Sequence, residues 1–211
     1  MKYNPKVLIA CECSQVECVA FRRHGFEAYS CDVQPCYGGH PEWHIKGDAL
    51  HALTLMCGGV CTVDGAFHDI GKWDLVIAHP PCTYIAQVGA APRAYGDGIE
   101  ARYYRYRMKE AAVFFMSFFE LYDGLLAVEN PRPSPLAKLP PYSFFVRPDV
   151  FGSRWSKLTY YWVRGLPPLL PLRARNYTCS SAASNRKGQK RSESFVEVAE
   201  AMAIQWGGLL I

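Results

Sequence analysis

The sequence predicts one domain of α/β class, a mostly parallel central sheet with helices on both faces, and three observations predict it. The chain has 211 residues, 50% of them hydrophobic and 20% charged, enough to bury one substantial core. Short apolar runs of strand length alternate with segments of helical periodicity. Two of those runs, Asp74-Leu-Val-Ile-Ala-His-Pro-Pro-Cys82-Thr-Tyr84 and Leu125-Leu-Ala-Val-Glu129-Asn130-Pro131, end abruptly at proline beside a reactive side chain. That is the pattern of parallel strands delivering functional groups to the carboxyl edge of a sheet.

The elements follow in order. Val7 to Ala10 reads as a buried strand, Gln15 to His24 as a helix closed by Gly25, and Glu27 to Cys31 as a second strand, a βαβ unit that ends at Asp32. His44 to Lys46 is a short third strand ending at Gly47-Asp48, followed by a helix from Ala49 to Met56. The glycine-rich segment Cys57 to Lys72 reads as a loop. Asp74 to Ala78 is the fourth strand, and the loop after it runs through Gly98, broken by Gly89, Pro92 and Gly96. Ile99 to Tyr122 is the longest helix, with Ala112, Phe115, Met116 and Phe119 on its core face. Leu125 to Val128 is the fifth strand, and the proline-rich stretch Pro131 to Pro148 predicts no regular structure. Lys157 to Arg164 is a strand stopped by Gly165 and Pro167-Pro168. Ser194 opens a last helix with the apolar stripe Phe195, Val198, Ala199, Met202 and Trp206, closed by Gly207-Gly208.

Composition narrows the function classes. No apolar run reaches the roughly 18 residues of a membrane span, and the amino terminus lacks a signal-peptide pattern, so a cytoplasmic protein with no membrane partner is expected. Nine cysteines, an odd number, fit reduced thiols better than a disulfide framework. Cys31-x4-Cys36 and Cys57-Gly-Gly-Val-Cys61, near His40 and His44, match no tight zinc knuckle, so no metal is expected. The net charge of +4 permits a nucleic-acid partner, and its distribution favours one. A basic arm at about 172–192 carries Arg173, Arg175, Arg186, Lys187, Lys190 and Arg191 with no acidic residue. A second cluster, Arg102-Tyr-Tyr-Arg105-Tyr-Arg-Met-Lys109, interleaves cations with aromatics, a composition that contacts phosphates and stacks on bases.

A thiol and a carboxyl on neighbouring strand ends suit nucleophilic attack on a heteroaromatic ring. Here the residues resemble the cytosine-5 DNA methyltransferases. Pro81-Cys82 is similar to that family's Pro-Cys nucleophile motif, and Glu129-Asn130-Pro131 to its Glu-Asn-Val motif with Pro replacing Val. Phe151-Gly152 with Lys157-Leu-Thr159 resembles, loosely, its Gln-x-Arg-x-Arg segment, and the last helix resembles the segment that covers the cofactor. The resemblance implies a Rossmann-like fold, S-adenosylmethionine as cofactor and DNA as partner for a monomer. Asp32 then holds the ribose and Asp48 contacts the adenine, with Cys11, Glu12 and Ser14 of the first loop and Pro80 completing the cofactor contacts. The first loop departs from the family's Phe-x-Gly-x-Gly: Ala10-Cys11-Glu12-Cys13-Ser14-Gln15 has no glycine. About thirty residues separate Arg164 from Ser194, too few for a large target-recognition domain, so the chain resembles the small members seen among phage-borne homologues.

The resemblance also implies a mechanism. Cys82 adds to carbon 6 of cytosine, Glu129 hydrogen-bonds to N3, Asn130 orients the loop and base, and Lys157 holds the base carbonyl or its phosphate. A mobile loop after Cys82 is expected, because a base in a duplex must leave the stack. Three rivals are an enzyme for single-stranded nucleic acid or free nucleotide, a silent nucleic-acid-binding homologue, and a cysteine hydrolase pairing Cys82 with His79.

Overall fold

The computed structural model describes residues 3–55, 58–89, 91–172 and 193–211. Its elements are β1 (Lys6–Ala10), α1 (Val16–Arg23), β2 (Glu27–Asp32), β3 (His44–Lys46), α2 (Ala49–Thr54), β4 (Gly59–Cys61), β5 (Phe67–Asp69), β6 (Leu75–Ala78), α3 (Ile99–Leu121), β7 (Leu125–Asn130), β8 (Phe144–Val146), β9 (Thr159–Arg164) and α4 (Val196–Gln205). Seven strands form one sheet in the order β3-β2-β1-β6-β7-β9-β8. The first five in that order are parallel, while β9 runs antiparallel to both β7 and β8. The topology is Rossmann-like, in agreement with the methyltransferase fold that the resemblance implies. From β1 the chain winds outward to β2 and β3, and from β6 it winds the other way. The gap between the carboxyl ends of β1 and β6 is therefore the switch point, where such sheets bind ligands.

The strands carry apolar side chains on both faces, as parallel strands must when helices cover each side. Leu8, Val76, Leu126 and Val128 pack with Met108, Phe115 and Phe118 of α3 and with α2. Val7, Ile9, Leu75 and Ile77 point the other way, onto Phe21 of α1 and Met202 of α4. Trp206 closes this second layer, fully buried, its indole N–H donating to the Pro167 carbonyl at 3.0 Å. Gly207 is required beside it: a Cβ there would lie 2.5 Å from the Phe26 ring. No described helix is long and apolar enough to cross a membrane.

Three expectations are corrected. The Cys57 to Lys72 loop contains the antiparallel hairpin β4–β5, with Gly65 turning at φ +88. The proline-rich stretch holds the short strand β8, tolerated because an edge strand pairs on one side only. The strand expected to end at Val128 continues through Glu129 and Asn130, because β9 pairs with both, Tyr161 opposite Glu129 and Tyr160 opposite Asn130. On α3 the deep core residues also include Met108 and Phe118, while Ala112, Met116 and Phe119 are half-buried.

Candidate active site

After β1 the chain turns through Cys11 and Gln15, both left-handed at φ 59 and 61. With no glycine available, each costs on the order of 1 kcal/mol. Gln15 is held there by its buried amide, which donates to the Ser30 hydroxyl and the His40 carbonyl (2.8 Å) and accepts from His40 N–H (3.0 Å). Because that side chain is engaged elsewhere, Glu12 caps α1 instead, accepting from Glu17 N–H at 2.9 Å and Cys18 N–H at 3.3 Å. The Ser14 hydroxyl donates to the same carboxylate. Glu12 and Ser14 thus serve the start of α1. Burial, reinforced by nearby Glu17, pushes the Glu12 carboxyl up to about 7 against the pull of those backbone donors.

Cys11, Asp32 and Asp48 do come together. They line a cavity of about 150 Å³ with Pro81 and Phe114. Asp32 accepts from Gln34 N–H (2.9 Å) and Asp48 caps α2 through Leu50 N–H (2.8 Å); each keeps a second carboxylate oxygen to offer. Burial pushes the Cys11 thiol well up, aided by Cys31 and the two aspartates, so it stays neutral. A slot with apolar walls and two carboxylates fits an adenine with its ribose diol. Pro80 is buried outside this lining and gives its carbonyl to Asn130.

Across the switch point lies a polar cluster that the sequence reading did not assemble. The register pairs Ala78 with Val128, so the residues that follow, His79 and Glu129, meet. His79 Nδ1 lies 3.1 Å from Glu129 Oε2, and its Nε2 lies 2.8 Å from Oε2 of Glu17, from the first turn of α1. Burial pushes the imidazole down, but the Glu17 charge and the hydrogen bonds to both carboxylates outweigh it and hold His79 well above its ordinary value. Burial likewise pushes the Glu129 carboxyl up, and His79 and then Lys157 more than reverse it. Lys157, just before β9, lines the same cavity, which encloses only about 20 Å³, room for about one water.

Cys82 is half-buried and lines neither cavity. Its carbonyl accepts from Ile85 and Ala86 N–H, starting a tight turn. The turn is tied to the segment after β7 by Gln87 N–H to the Arg132 carbonyl and Ser134 N–H to the Ile85 carbonyl. The buried Asn130 amide donates to the Pro80 carbonyl at 3.2 Å, while its Oδ1 has no hydrogen-bond partner among the described residues. Both ring nitrogens of His79 are taken by carboxylates, which leaves none to activate Cys82 as a hydrolase base.

On α3, Arg102 is exposed. Arg105 is exposed too, and its guanidinium braces the loop before the helix, donating to the Ala94 and Gly96 carbonyls. Arg107 lies over the Tyr84 ring, two residues after Cys82, with Tyr103 and Tyr106 exposed nearby on the same helix. Arg173, Arg175, Arg186, Lys187, Lys190 and Arg191 lie outside the described residues.

No protein-family model and no curated protein matches the chain. Among solved structures the chain is similar to a triple mutant of DNMT2 from Spodoptera frugiperda, at 15% identity and a TM-score of 0.41, over 75% of this chain and 49% of that one. The chain thus spans about half the length of that structure.

Proposed function

We propose that this protein is an S-adenosylmethionine-dependent methyltransferase acting on carbon 5 of cytosine in DNA, with Cys82 as the nucleophile. The observation that carries the reading is the pairing of β6 with β7: it sets the Pro80-Pro81-Cys82 turn against Glu129 and Asn130, beside a slot suited to the cofactor. Asp32 and Asp48 would hold the ribose and adenine. When bound, the cofactor supplies the electrophilic methyl group.

The chain's own residues then do the rest. Cys82 adds to carbon 6, the ring electrons shift toward N3, and carbon 5 becomes nucleophilic. Glu129 stabilises the change at N3, and Lys157 adds positive charge to the same pocket. Asn130 fixes the turn through Pro80, and its unpaired Oδ1 is an acceptor for the substrate-bound arrangement. A cavity of about 20 Å³ does not admit a pyrimidine, so base entry at Glu129 requires the segment at Glu193 to Phe195, which lines it, to open. Exposed Tyr103, Tyr106 and Arg102 of α3, the helix whose Arg107 covers Tyr84, suit stacking and phosphate contact.

The test is a cytosine with fluorine at carbon 5. After methyl transfer that carbon has no proton to lose, Cys82 cannot be expelled, and the protein stays joined to the base. Intact mass should show an adduct that Cys82→Ser abolishes while still binding cofactor. Duplex and single-stranded oligonucleotides are run in parallel, so an adduct with the single strand alone selects that substrate. No Cys82-dependent adduct with either, despite bound cofactor, defeats the reading. Separately, Asp32→Ala should weaken S-adenosylmethionine binding by roughly 1–3 kcal/mol, the loss of a charge-assisted hydrogen bond. Calorimetry showing an unchanged Kd in the folded variant would remove Asp32 from the site.

A further inference from the structure

We propose that His79 is the proton reservoir for Glu129: an imidazolium, fixed by Glu17, that passes its Nδ1 proton to Glu129 as Glu129 protonates cytosine N3. The inference rests on the reading above, in which Glu129 faces N3.

A contradiction in that reading calls for such a group. N3 of neutral cytosine accepts hydrogen bonds, and an ionised carboxylate can only accept. Glu129 must therefore present a proton, yet His79 and Lys157 hold it ionised at rest. The proton has to arrive from a neighbour. His79 Nδ1 is in contact at 3.1 Å and can give up a proton, in a site where the Glu129 side chain is 15% exposed and that of His79 13%.

The second carboxylate explains why the imidazole is charged. Glu17 is 1% exposed and faces Nε2 at 2.8 Å. One carboxylate would neutralise a structural imidazolium; a second lets the ring give up its Nδ1 proton while Nε2–H stays bound. The groups facing the cluster come from every side. Glu12 of the first loop has a raised carboxyl and shares the Glu17 field. Lys157 adds positive charge beside Glu129, and Glu193 lines the same cavity. Tyr161 of β9 is kept neutral by burial and by Glu129 and Glu17.

The proton count closes. Cys82 attacks as the thiolate, its proton having gone to water; as its sulfur bonds to carbon 6, the ring's electron pair moves onto N3, N3 takes a proton through Glu129, and His79 is left neutral on Glu17. Once carbon 5 carries the methyl group its proton passes to water, Cys82 leaves as the thiolate with the electron pair of the carbon–sulfur bond, and the N3 proton returns by the same path to His79. His79 and Glu17 touch neither base nor cofactor and are positioning residues.

The test measures kcat and KM for an oligonucleotide from about pH 5 to about pH 9 in the full chain, with His79→Gln and Glu17→Gln. His79→Gln should lower kcat by roughly 10²–10⁴-fold with KM little changed, the usual range for losing acid–base help. Glu17→Gln should retain activity at the acid end and move the alkaline limb down by about one pH unit or more, because the imidazole loses an anion that keeps it charged. A purely structural role would lower activity at every pH and leave the limb in place. An unmoved limb in Glu17→Gln, or wild-type kcat in His79→Gln, overturns the relay. Should His79→Gln fail to fold, imidazole ¹⁵N shifts settle the premise: His79 should be doubly protonated at about pH 8 in the wild type and neutral in Glu17→Gln. A neutral wild-type ring also overturns the relay. A missing Cys82 adduct in the wild type defeats the methyltransferase reading first, so the two failures are distinguishable.

Discussion

Glu129→Gln should form the Cys82 adduct with fluorinated cytosine about 10²–10³-fold more slowly than the wild type, the loss seen when one preorganised group facing developing charge is removed. The substitution keeps size and hydrogen bonding but not proton transfer: an amide can donate to N3 yet cannot surrender a proton to it. It also removes one of the two anions beside His79. Cofactor affinity should be unchanged, because Glu129 does not line the slot at Asp32 and Asp48. Quenched-flow sampling followed by denaturing electrophoresis gives the rate. An adduct forming at the wild-type rate would falsify the assignment of Glu129 to N3.

Stability should fall as pH rises from about 5 to about 8, and Glu12→Gln should remove much of that slope. Glu12 is raised in the fold from an ordinary 4.5 to about 7. A raised carboxyl stabilises the fold fully below its unfolded value, and that contribution is lost as pH climbs through the folded value. Over this interval the loss is on the order of 3 kcal/mol. His79 acts in the same sense: its folded value lies well above 6.5, so its contribution is lost as pH rises through that folded value. Glu129, lowered in the fold, has the opposite sign, losing its contribution as pH drops below the ordinary carboxylate range. A stability maximum near pH 5 follows. Urea melts across the interval give the slope, and a slope identical in Glu12→Gln would mean that Glu12 is ionised throughout.

Most of the fold was legible because apolar runs of four to six residues, once alternated with amphipathic helices, leave few ways to cover both faces of a sheet. The stripe on α4 was readable for the same reason: Phe195, Val198, Ala199, Met202 and Trp206 are all buried. The hairpin β4–β5 and strand β8 were not, because they lie in stretches rich in glycine or proline that read as loop, and their pairing is set by tertiary contacts. That Asp32 and Asp48 would meet at one cavity was legible from their places after successive strands. The Glu17–His79–Glu129 cluster was missed because its members lie far apart in the chain. A signal existed: in a doubly wound sheet the first strand and the first strand on the other side of the switch point are neighbours, so an acid in the first turn of the helix after β1 and a histidine just after β6 are brought close. The first loop makes its left-handed turns without glycine, at Cys11 and Gln15.

The shortness of β3 and β8 has a consequence for self-association. These are the two edges of the seven-stranded sheet, and each is only three residues long. An edge strand offers unpaired backbone N–H and C=O groups to any chain that aligns with it, and the hazard grows with length. Here the long aliphatic strands are kept to the interior, β3 gives way at once to Gly47, and β8 runs between Pro141 and Pro148. A second molecule meeting either margin finds too short a template to add a strand.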